Sequence, residues 1–243
     1  MEQEKAFNVL FVLFGKMVTI SMILPLLAAF LKRKALNRSL KFFLWYCIVV
    51  FITTFMIEIF IWAATKYYES WKSFLIPWHL ADTNFFSVFA YLYDFGLLGW
   101  YFVSVMPNKN IARFTKWVCT VALLMSLSNY FFIKGYYTYD SFSQTLISIF
   151  KFVIPLYSLW LIYNDEGKVP ITKNPYFWIC LGLLIPGMVG LFAEVVGEKL
   201  YGSDTILFYK LEIGSNVINI IGQILFAIGF YYAPYTEFLE SDE

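Results

Sequence analysis

Residues 205–232 read TILFYKLEIGSNVINIIGQILFAIGFYY, an apolar run long enough to cross a bilayer. Polar side chains recur in it at steps of four, three and four residues, at Glu212, Asn216, Asn219 and Gln223. At about 100° per residue of an α-helix, the four fall within a sector of about 60° and form one stripe, called the polar stripe below. Hydrocarbon offers no hydrogen-bond partners, so polar groups facing it are costly. The helix is therefore predicted to belong to a bundle with a polar interior.

The composition is that of a membrane protein. Apolar residues make up 60% of the 243 residues and charged residues 14%, whereas about a quarter of a soluble globular chain is charged. No basic stripe typical of nucleic-acid binding is visible in the sequence. The cysteines Cys47, Cys119 and Cys180 lie singly inside apolar runs, so buried thiols are predicted rather than a disulfide or a zinc site.

Seven apolar runs are long enough to cross a bilayer, and they are numbered spans 1 to 7 in chain order. They cover residues 7–31, 40–64, 83–106, 111–133, 142–163, 176–197 and 205–232. Most linkers between them are short, so consecutive helices should be antiparallel neighbours. The predicted fold class is all-α, with residues 1–243 forming a single seven-helix membrane domain.

The distribution of basic residues predicts the orientation of the bundle. One set of linkers and span ends carries Lys32, Arg33, Lys34, Arg38, Lys41, Lys109, Arg113, Lys116, Lys168 and Lys173; the opposite side has Lys5, Lys66, Lys72, Lys134 and Lys199. Cytoplasmic loops are enriched in Lys and Arg, so the amino terminus is predicted to lie outside and the acidic tail, 237–243, in the cytoplasm. Abundant Phe, Tyr, Ile, Lys and Asn favour an AT-rich bacterial genome, and hence a bacterial inner membrane.

The linker Thr65 to Asp82 differs from the others because it is long and aromatic. It is predicted to lie at the lipid headgroups on the outer side or to fold over the mouth of the bundle. Three prolines, Pro25, Pro155 and Pro186, lie inside spans and predict local kinks. The pair Pro186-Gly187 makes span 6 the helix most suited to bend.

Ionisable residues inside spans are candidate site residues because they are costly there. In this chain they are Lys16, Glu58, Asp94, Lys151, Glu194, Lys210 and Glu212. Asp94 lies near the predicted bilayer centre and the others in the outer half. This asymmetry predicts a polar cavity that opens outward and is closed towards the cytoplasm by an apolar and aromatic plug. Lys16 and Lys151 are expected to pair with Glu58, Asp94 or the polar stripe, whereas Lys210 lies on the opposite face of its helix and should reach the headgroups. In the alternative interpretation, these groups satisfy one another and bind nothing.

Catalysis is not predicted. The single histidine, His79, lies in the outer loop, which argues against histidine-rich metal centres and bis-histidine haem. No nucleophile, base and orienting group stand in a recognisable pattern, so the chain is predicted not to be an enzyme and to hold no metal ion.

The end of the chain resembles the microbial rhodopsin family. The run from Asp204 to Val217 is similar to the seventh helix of its light-driven proton pumps, with Glu212 at the acid position and Asn216 where the family has the lysine that binds retinal. Pro186 and Glu194 fall where the family has a kink proline and an outer acid of the proton-release group, with Asp204 as a candidate second member. The segment from Asp94 to Leu98 resembles the surroundings of the cytoplasmic proton donor.

The resemblance implies a seven-helix fold without a pigment. Asn216 cannot form a Schiff base, and Lys210 is too shallow and on the wrong face to replace the lysine. The positions of the aromatic residues that enclose retinal hold Gly182, Ile185 and Val189, and the counterion position holds Thr83 with Asp82 beside it. No cofactor is therefore predicted.

Three functions fit this sequence. The first is a receptor or sensor that binds a small molecule or lipid from the outer side and signals to a membrane or cytoplasmic partner. The second is a proton-coupled or ion transporter, with Asp94, Glu58 and Glu212 as relay carboxylates. The third is an accessory or scaffolding protein whose lipid-facing surface docks another membrane protein, or else a retinal-free relative of the rhodopsins. In each case the candidate site residues are Lys16, Glu58, Asp94, Lys151, Glu194, Glu212, Asn216, Asn219 and Gln223.

Overall fold

The computed structural model describes residues 2–80, 83–164 and 169–238, and the regular secondary structure within them is helical throughout. Asp82, Lys168 and the tail residues 239–243 lie outside the described residues, and the side chains of Lys199 and Glu237 are not described.

Seven helical stretches in the described part are long and apolar enough to cross a membrane. Spans 1 to 7 cover Glu4–Leu31, Arg38–Lys66, Asn84–Val105, Lys109–Ile133, Ser141–Asn164, Pro175–Val196 and Thr205–Tyr231. The seven stretches coincide with the seven predicted runs, which confirms the all-α, seven-span architecture of an integral multi-pass membrane protein. The orientation in the bilayer stays a prediction, and "outer" and "cytoplasmic" refer to it below.

The chain divides into two compact units. The discontinuous unit contains Met1–Leu44 and Thr145–Glu243, and the central unit contains Trp45–Gln144. The single membrane domain over residues 1–243 stays a prediction, and each unit is described by itself.

Span 1 of the discontinuous unit consists of two helices, Glu2–Ser21 and Ile23–Leu31. Pro25 accounts for the break, because it has no amide hydrogen to donate to the carbonyl of Ser21 and its ring crowds that carbonyl. The helices Ser141–Asn164 and Pro175–Ser203, in contrast, continue through Pro155 and Pro186. A bending role for Pro186 stays a prediction.

Span 7, the helix Thr205–Tyr231, packs on span 6 and on both helices of span 1. A Cβ atom added to Gly222 would lie 2.9 Å from the carbonyl oxygen of Gly182 and 3.0 Å from Cγ of Pro186. A Cβ atom added to Gly229 would lie 2.9 Å from the Ile179 side chain. Spans 6 and 7 therefore approach through their backbones, as small residues allow in membrane helices.

Span 6 makes a second close contact, with span 5. A Cβ atom on Gly187 would lie 2.9 Å from the backbone of Lys151, and one on Gly190 would lie 3.0 Å from Oγ of Ser148. Glycines thus bring span 6 close to both span 5 and span 7.

The central unit contains two π-helical segments. Span 3 runs through a 3₁₀ turn at Asn84–Phe86, an α-helix at Ser87–Tyr91, a π-helix at Leu92–Leu98 and an α-helix at Gly99–Val105. Span 4 is α-helical over Lys109–Ser128 and π-helical over Asn129–Ile133. Such segments are rare and occur frequently at functional sites.

Short elements complete the described chain. Span 2 is one helix, Arg38–Lys66, and an eight-residue helix, Tyr68–Leu75, follows it in the outer loop. Further 3₁₀ turns cover Arg33–Ala35, Ile171–Lys173 and Ala233–Phe238. Cys47, Cys119 and Cys180 are free and buried, as predicted.

Candidate functional site

The polar stripe lies on the side of span 7 away from that helix's exposed apolar face. All four of its side chains are half-buried. Four aliphatic side chains of the helix are strongly exposed, namely Leu207, Val217, Ile221 and Ile224. At about 100° per residue, these four lie roughly opposite the stripe. The stripe lies between the contact with span 6 at Gly222 and the contact with span 1, where Tyr209 meets Phe11 with ring centroids 5.8 Å apart.

No hydrogen bond from a described residue satisfies the polar stripe. The side chains of Glu212, Asn216, Asn219 and Gln223 form neither a side-chain hydrogen bond nor an ion pair within the described part of the chain. Amide and carboxylate groups at membrane depth need such partners, because hydrocarbon supplies none. The stripe is therefore suited to bind water or a polar ligand.

Two carboxylates from neighbouring helices interact electrostatically near the outer end of the stripe. Glu194 of span 6 lies close enough to Glu212 of span 7 for their charges to interact, and both side chains are half-buried. Like charges at short range repel, and this repulsion decreases when a proton or a cation is bound between them. This end of the stripe thus favours positively charged groups.

The cytoplasmic end of the stripe is closed by aromatic side chains. The same three-and-four spacing continues from Gln223 to Phe226 and Phe230, which are both buried. The ring of Phe43 packs on both of them, with centroid distances of 5.0 Å and 5.8 Å. The face of span 7 thus changes from polar to aromatic within one turn. The sequence predicts an apolar and aromatic plug on this cytoplasmic side of the cavity.

The central unit holds a buried carboxylate in the middle of span 3. Asp94 is 2% exposed and lies inside the π-helix Leu92–Leu98. The hydroxyl of Tyr46 in span 2 donates a hydrogen bond of 3.0 Å to Oδ1 of Asp94. The ring of Tyr93 packs edge-on against that of Tyr46. Asp94 is therefore held by a phenol from the neighbouring helix, which stabilises the pairing of spans 2 and 3.

A second buried carboxylate, Asp140, lies just before span 5. The hydroxyl of Tyr91 donates to its Oδ2 at 2.9 Å, and the amide of Asn129 donates to its Oδ1 at 2.6 Å. The backbone N–H of Ser143 also donates to Oδ1 at 3.0 Å, so Asp140 caps the helix of span 5. Asp140 is 3% exposed and joins span 3, span 4 and the start of span 5.

Sequence reasoning did not include Asp140 or Tyr46 among the site residues. Asp140 lies outside the apolar runs, where charges are common, although an Asp three residues before a helical amide is a recognisable capping signal. Tyr46 is one of 18 tyrosines, and no local spacing indicates which of them reaches Asp94.

Some predicted site residues are not brought to the stripe. Lys16 is exposed, and at about 100° per residue it points away from the side of span 1 on which Phe7 and Phe11 contact span 7. The pairing of Lys16 with the stripe is therefore absent among the described contacts, because the helix register turns its side chain outward.

Glu58 is likewise not brought to Asp94, and for Lys151 the structure gives the position of the backbone in span 5. Glu58 is half-buried in span 2 and lies 12 residues beyond Tyr46, a rise of about 18 Å, so it is not beside Asp94. The backbone and Cβ of Lys151 form the contact with Gly187. Lys210 is exposed, and its Nζ lies 5.3 Å from the ring centroid of Phe7; its reach to the headgroups stays a prediction.

The described residues contain no group of three or more His, Cys, Asp or Glu side chains placed to hold a metal ion. At the positions compared with rhodopsin, Asn216 is half-buried in the polar stripe, and the ring of Phe226 packs directly against Gly182. Comparison with models of protein families, with curated proteins and with solved structures gave no match to this chain.

Proposed function

We propose that this protein is a seven-helix membrane receptor or sensor that binds a small polar ligand from the outer side along the polar stripe of span 7. The observation that carries the proposal is that Glu212, Asn216, Asn219 and Gln223 are half-buried and have no hydrogen-bond partner among the described residues. A ligand with several polar groups would satisfy them in sequence along the helix, with its positive end beside Glu194 and Glu212.

The aromatic side chains at the cytoplasmic end of the polar stripe favour a receptor over a transporter. Transport along the stripe requires a polar path beyond Gln223, but Phe226, Phe230 and Phe43 occupy that position. A receptor needs only one open end, and the signal then passes through movements of the helices. The close backbone contacts of span 6 with span 7 provide the mechanical link that such a movement needs.

Thiol labelling tests whether the stripe is open to water from the outer side. Asn216→Cys and Asn219→Cys should react with a charged, membrane-impermeant thiol reagent added outside sealed cells. Val217→Cys and Ile221→Cys, on the exposed apolar face of the same helix, are the matched controls and should stay unreacted in lipid. The natural cysteines are buried, so the background should be low.

Thermal shift measurements then test ligand binding. The purified protein is screened with small water-soluble amines, amino acids and sugars, and a compound that raises Tm in the parent protein should lose this effect in Glu212→Gln or Asn216→Leu. The proposal is overturned if Asn216→Cys and Asn219→Cys react no faster than their controls. Flux of protons or solute in reconstituted vesicles that is abolished by Asp94→Asn would favour the transporter instead.

A further inference from the structure

The end of span 2 and the outer loop after it carry a row of exposed aromatic side chains. Trp62, Tyr67, Trp71, Phe74 and Trp78 are all exposed, by 38–60%. Neighbouring rings lie close together, with centroid distances of 6.1 Å from Trp62 to Tyr67, 6.5 Å from Tyr67 to Trp71 and 6.5 Å from Phe74 to Trp78. We call these five residues the aromatic strip.

The helix Tyr68–Leu75 within this loop is amphipathic. Tyr67, Trp71 and Phe74 are three or four residues apart and so lie on one face. Glu69 and Lys72 form an exposed ion pair on the other face. A short helix with an aromatic face and a charged face is typical of segments that lie in the plane of the membrane interface.

The loop is attached to the central unit on its remaining side. Leu75 is only 1% exposed. The hydroxyl of Tyr136 donates to the carbonyl oxygen of Trp78 at 3.0 Å, and His79, at a φ of 50°, packs its ring on Tyr137 with centroids 4.9 Å apart. These contacts hold the loop while the aromatic strip stays uncovered.

The strip also continues the lipid-facing surface of a membrane span. Trp62 lies near the end of span 2 and is exposed together with Ile59 and Ile61. Lys66, at the end of the span, lies over the rings of Trp62 and Tyr67 at 4.8 Å and 5.5 Å from their centroids. Tryptophan and tyrosine are most stable at the boundary between acyl chains and headgroups, and an adjacent lysine can reach the phosphates.

We infer that the aromatic strip is a fixed lipid-binding surface that inserts into the headgroup boundary of the outer leaflet, and that the loop is not a lid over the bundle. The partner is the lipid surface itself. This inference is independent of the proposed receptor function, because the strip and the polar stripe belong to different units.

Spin labelling in lipid nanodiscs tests the inference on the full chain. Labels are placed at Phe74→Cys on the aromatic face and at Ser73→Cys on the polar side, and collision rates are measured with oxygen, which partitions into lipid, and with a water-soluble nickel chelate. We expect the ratio of oxygen to nickel collisions to be several-fold higher at Phe74→Cys than at Ser73→Cys. Trp71→Cys and Glu69→Cys form a second matched pair, which guards against a fold defect in one variant. The unsubstituted protein should take up little label because its cysteines are buried.

Two results would overturn the inference. Equal nickel collision rates at Phe74→Cys and Ser73→Cys would place the aromatic face in water. Protection of Phe74→Cys from both reagents would show that protein covers it, either as a lid or in contact with another chain.

Discussion

Two carboxylates of the central unit, Asp94 and Asp140, contrast with Glu212 of the discontinuous unit. Asp94 and Asp140 of the central unit are buried and accept hydrogen bonds from neighbouring helices. Glu212 of the discontinuous unit is half-buried, accepts no hydrogen bond from a described residue and lies near a second acid. A buried group that is satisfied contributes to stability, whereas a partly exposed group without partners contributes little to the fold and is available for a ligand. Substitutions in both units can test this contrast.

The largest expected effect is that of Asp140→Ala. This change leaves the hydroxyl of Tyr91, the amide of Asn129 and the N–H of Ser143 without their acceptor. Each unsatisfied buried donor costs about 1–3 kcal/mol, and each kcal/mol lowers Tm by about 2–4 °C in a chain of this size, so the three donors together should lower Tm by at least about 6 °C. Thermal unfolding in detergent or nanodiscs measures the change, with Glu69→Ala as the control because its ion pair is exposed. A Tm within one or two degrees of the parent, as expected of the control, would contradict the stabilising role of Asp140.

Tyr46→Phe should have an intermediate effect. It removes the hydroxyl that donates to Asp94 and keeps the ring, so we expect the free energy of unfolding to decrease by about 1–3 kcal/mol. Tyr93→Phe is the matched control, since no described residue bonds its hydroxyl, and it should change stability by less than about 0.5 kcal/mol. A double-mutant cycle of Tyr46→Phe with Asp94→Asn should give a coupling energy of about 0.5–3 kcal/mol. Equal effects of Tyr46→Phe and Tyr93→Phe on stability would show that the hydrogen bond from Tyr46 to Asp94 does not determine the cost.

Asn216→Leu should leave the ligand-free protein as stable as the parent, or slightly more stable. No hydrogen bond to a described residue is lost, and the apolar side chain removes a poorly satisfied amide from the bundle. The measurement is Tm without ligand, with Val217→Leu as the control on the lipid-facing side. A fall in Tm as large as that of Tyr46→Phe would indicate that the polar stripe stabilises the fold.

Glu58→Gln should also have a small effect, with a change in the free energy of unfolding below about 1 kcal/mol. Glu58 belongs to the central unit but resembles the polar stripe in being half-buried without a described partner. Its substitution therefore shows whether the loss of stability depends on having a hydrogen-bond partner or on belonging to the central unit. If Glu58→Gln destabilises the protein as much as Tyr46→Phe does, the unit rather than the hydrogen bond determines the cost.

The sequence predicted the features that depend on neighbours along the chain. Apolar runs fixed the seven spans because a helix must match the bilayer thickness. The spacing from Glu212 to Gln223 predicted one polar face, and extending the same spacing to Phe226 and Phe230 would also have located the plug residues.

Contacts between distant parts of the chain were not predictable in this way. Tyr46 and Asp94 are 48 residues apart, and Tyr91 and Asp140 are 49 residues apart. The π-helical segments have no local sequence signal comparable with that of an apolar span. The expected partner of Lys16 depended on which side of span 1 meets span 7, and the contacts of Phe7 and Phe11 determine this only in three dimensions.

The crossing of spans 6 and 7 also has an evolutionary consequence. Side chains larger than hydrogen at Gly182, Gly222 or Gly229 would collide with the neighbouring helix, and Pro186 completes the same contact. Lipid-facing positions can exchange one apolar residue for another at little cost, so they drift quickly between homologues. Distant relatives should therefore retain glycine and proline four residues apart in the sixth span and two glycines seven residues apart in the seventh, even after other similarity has been lost.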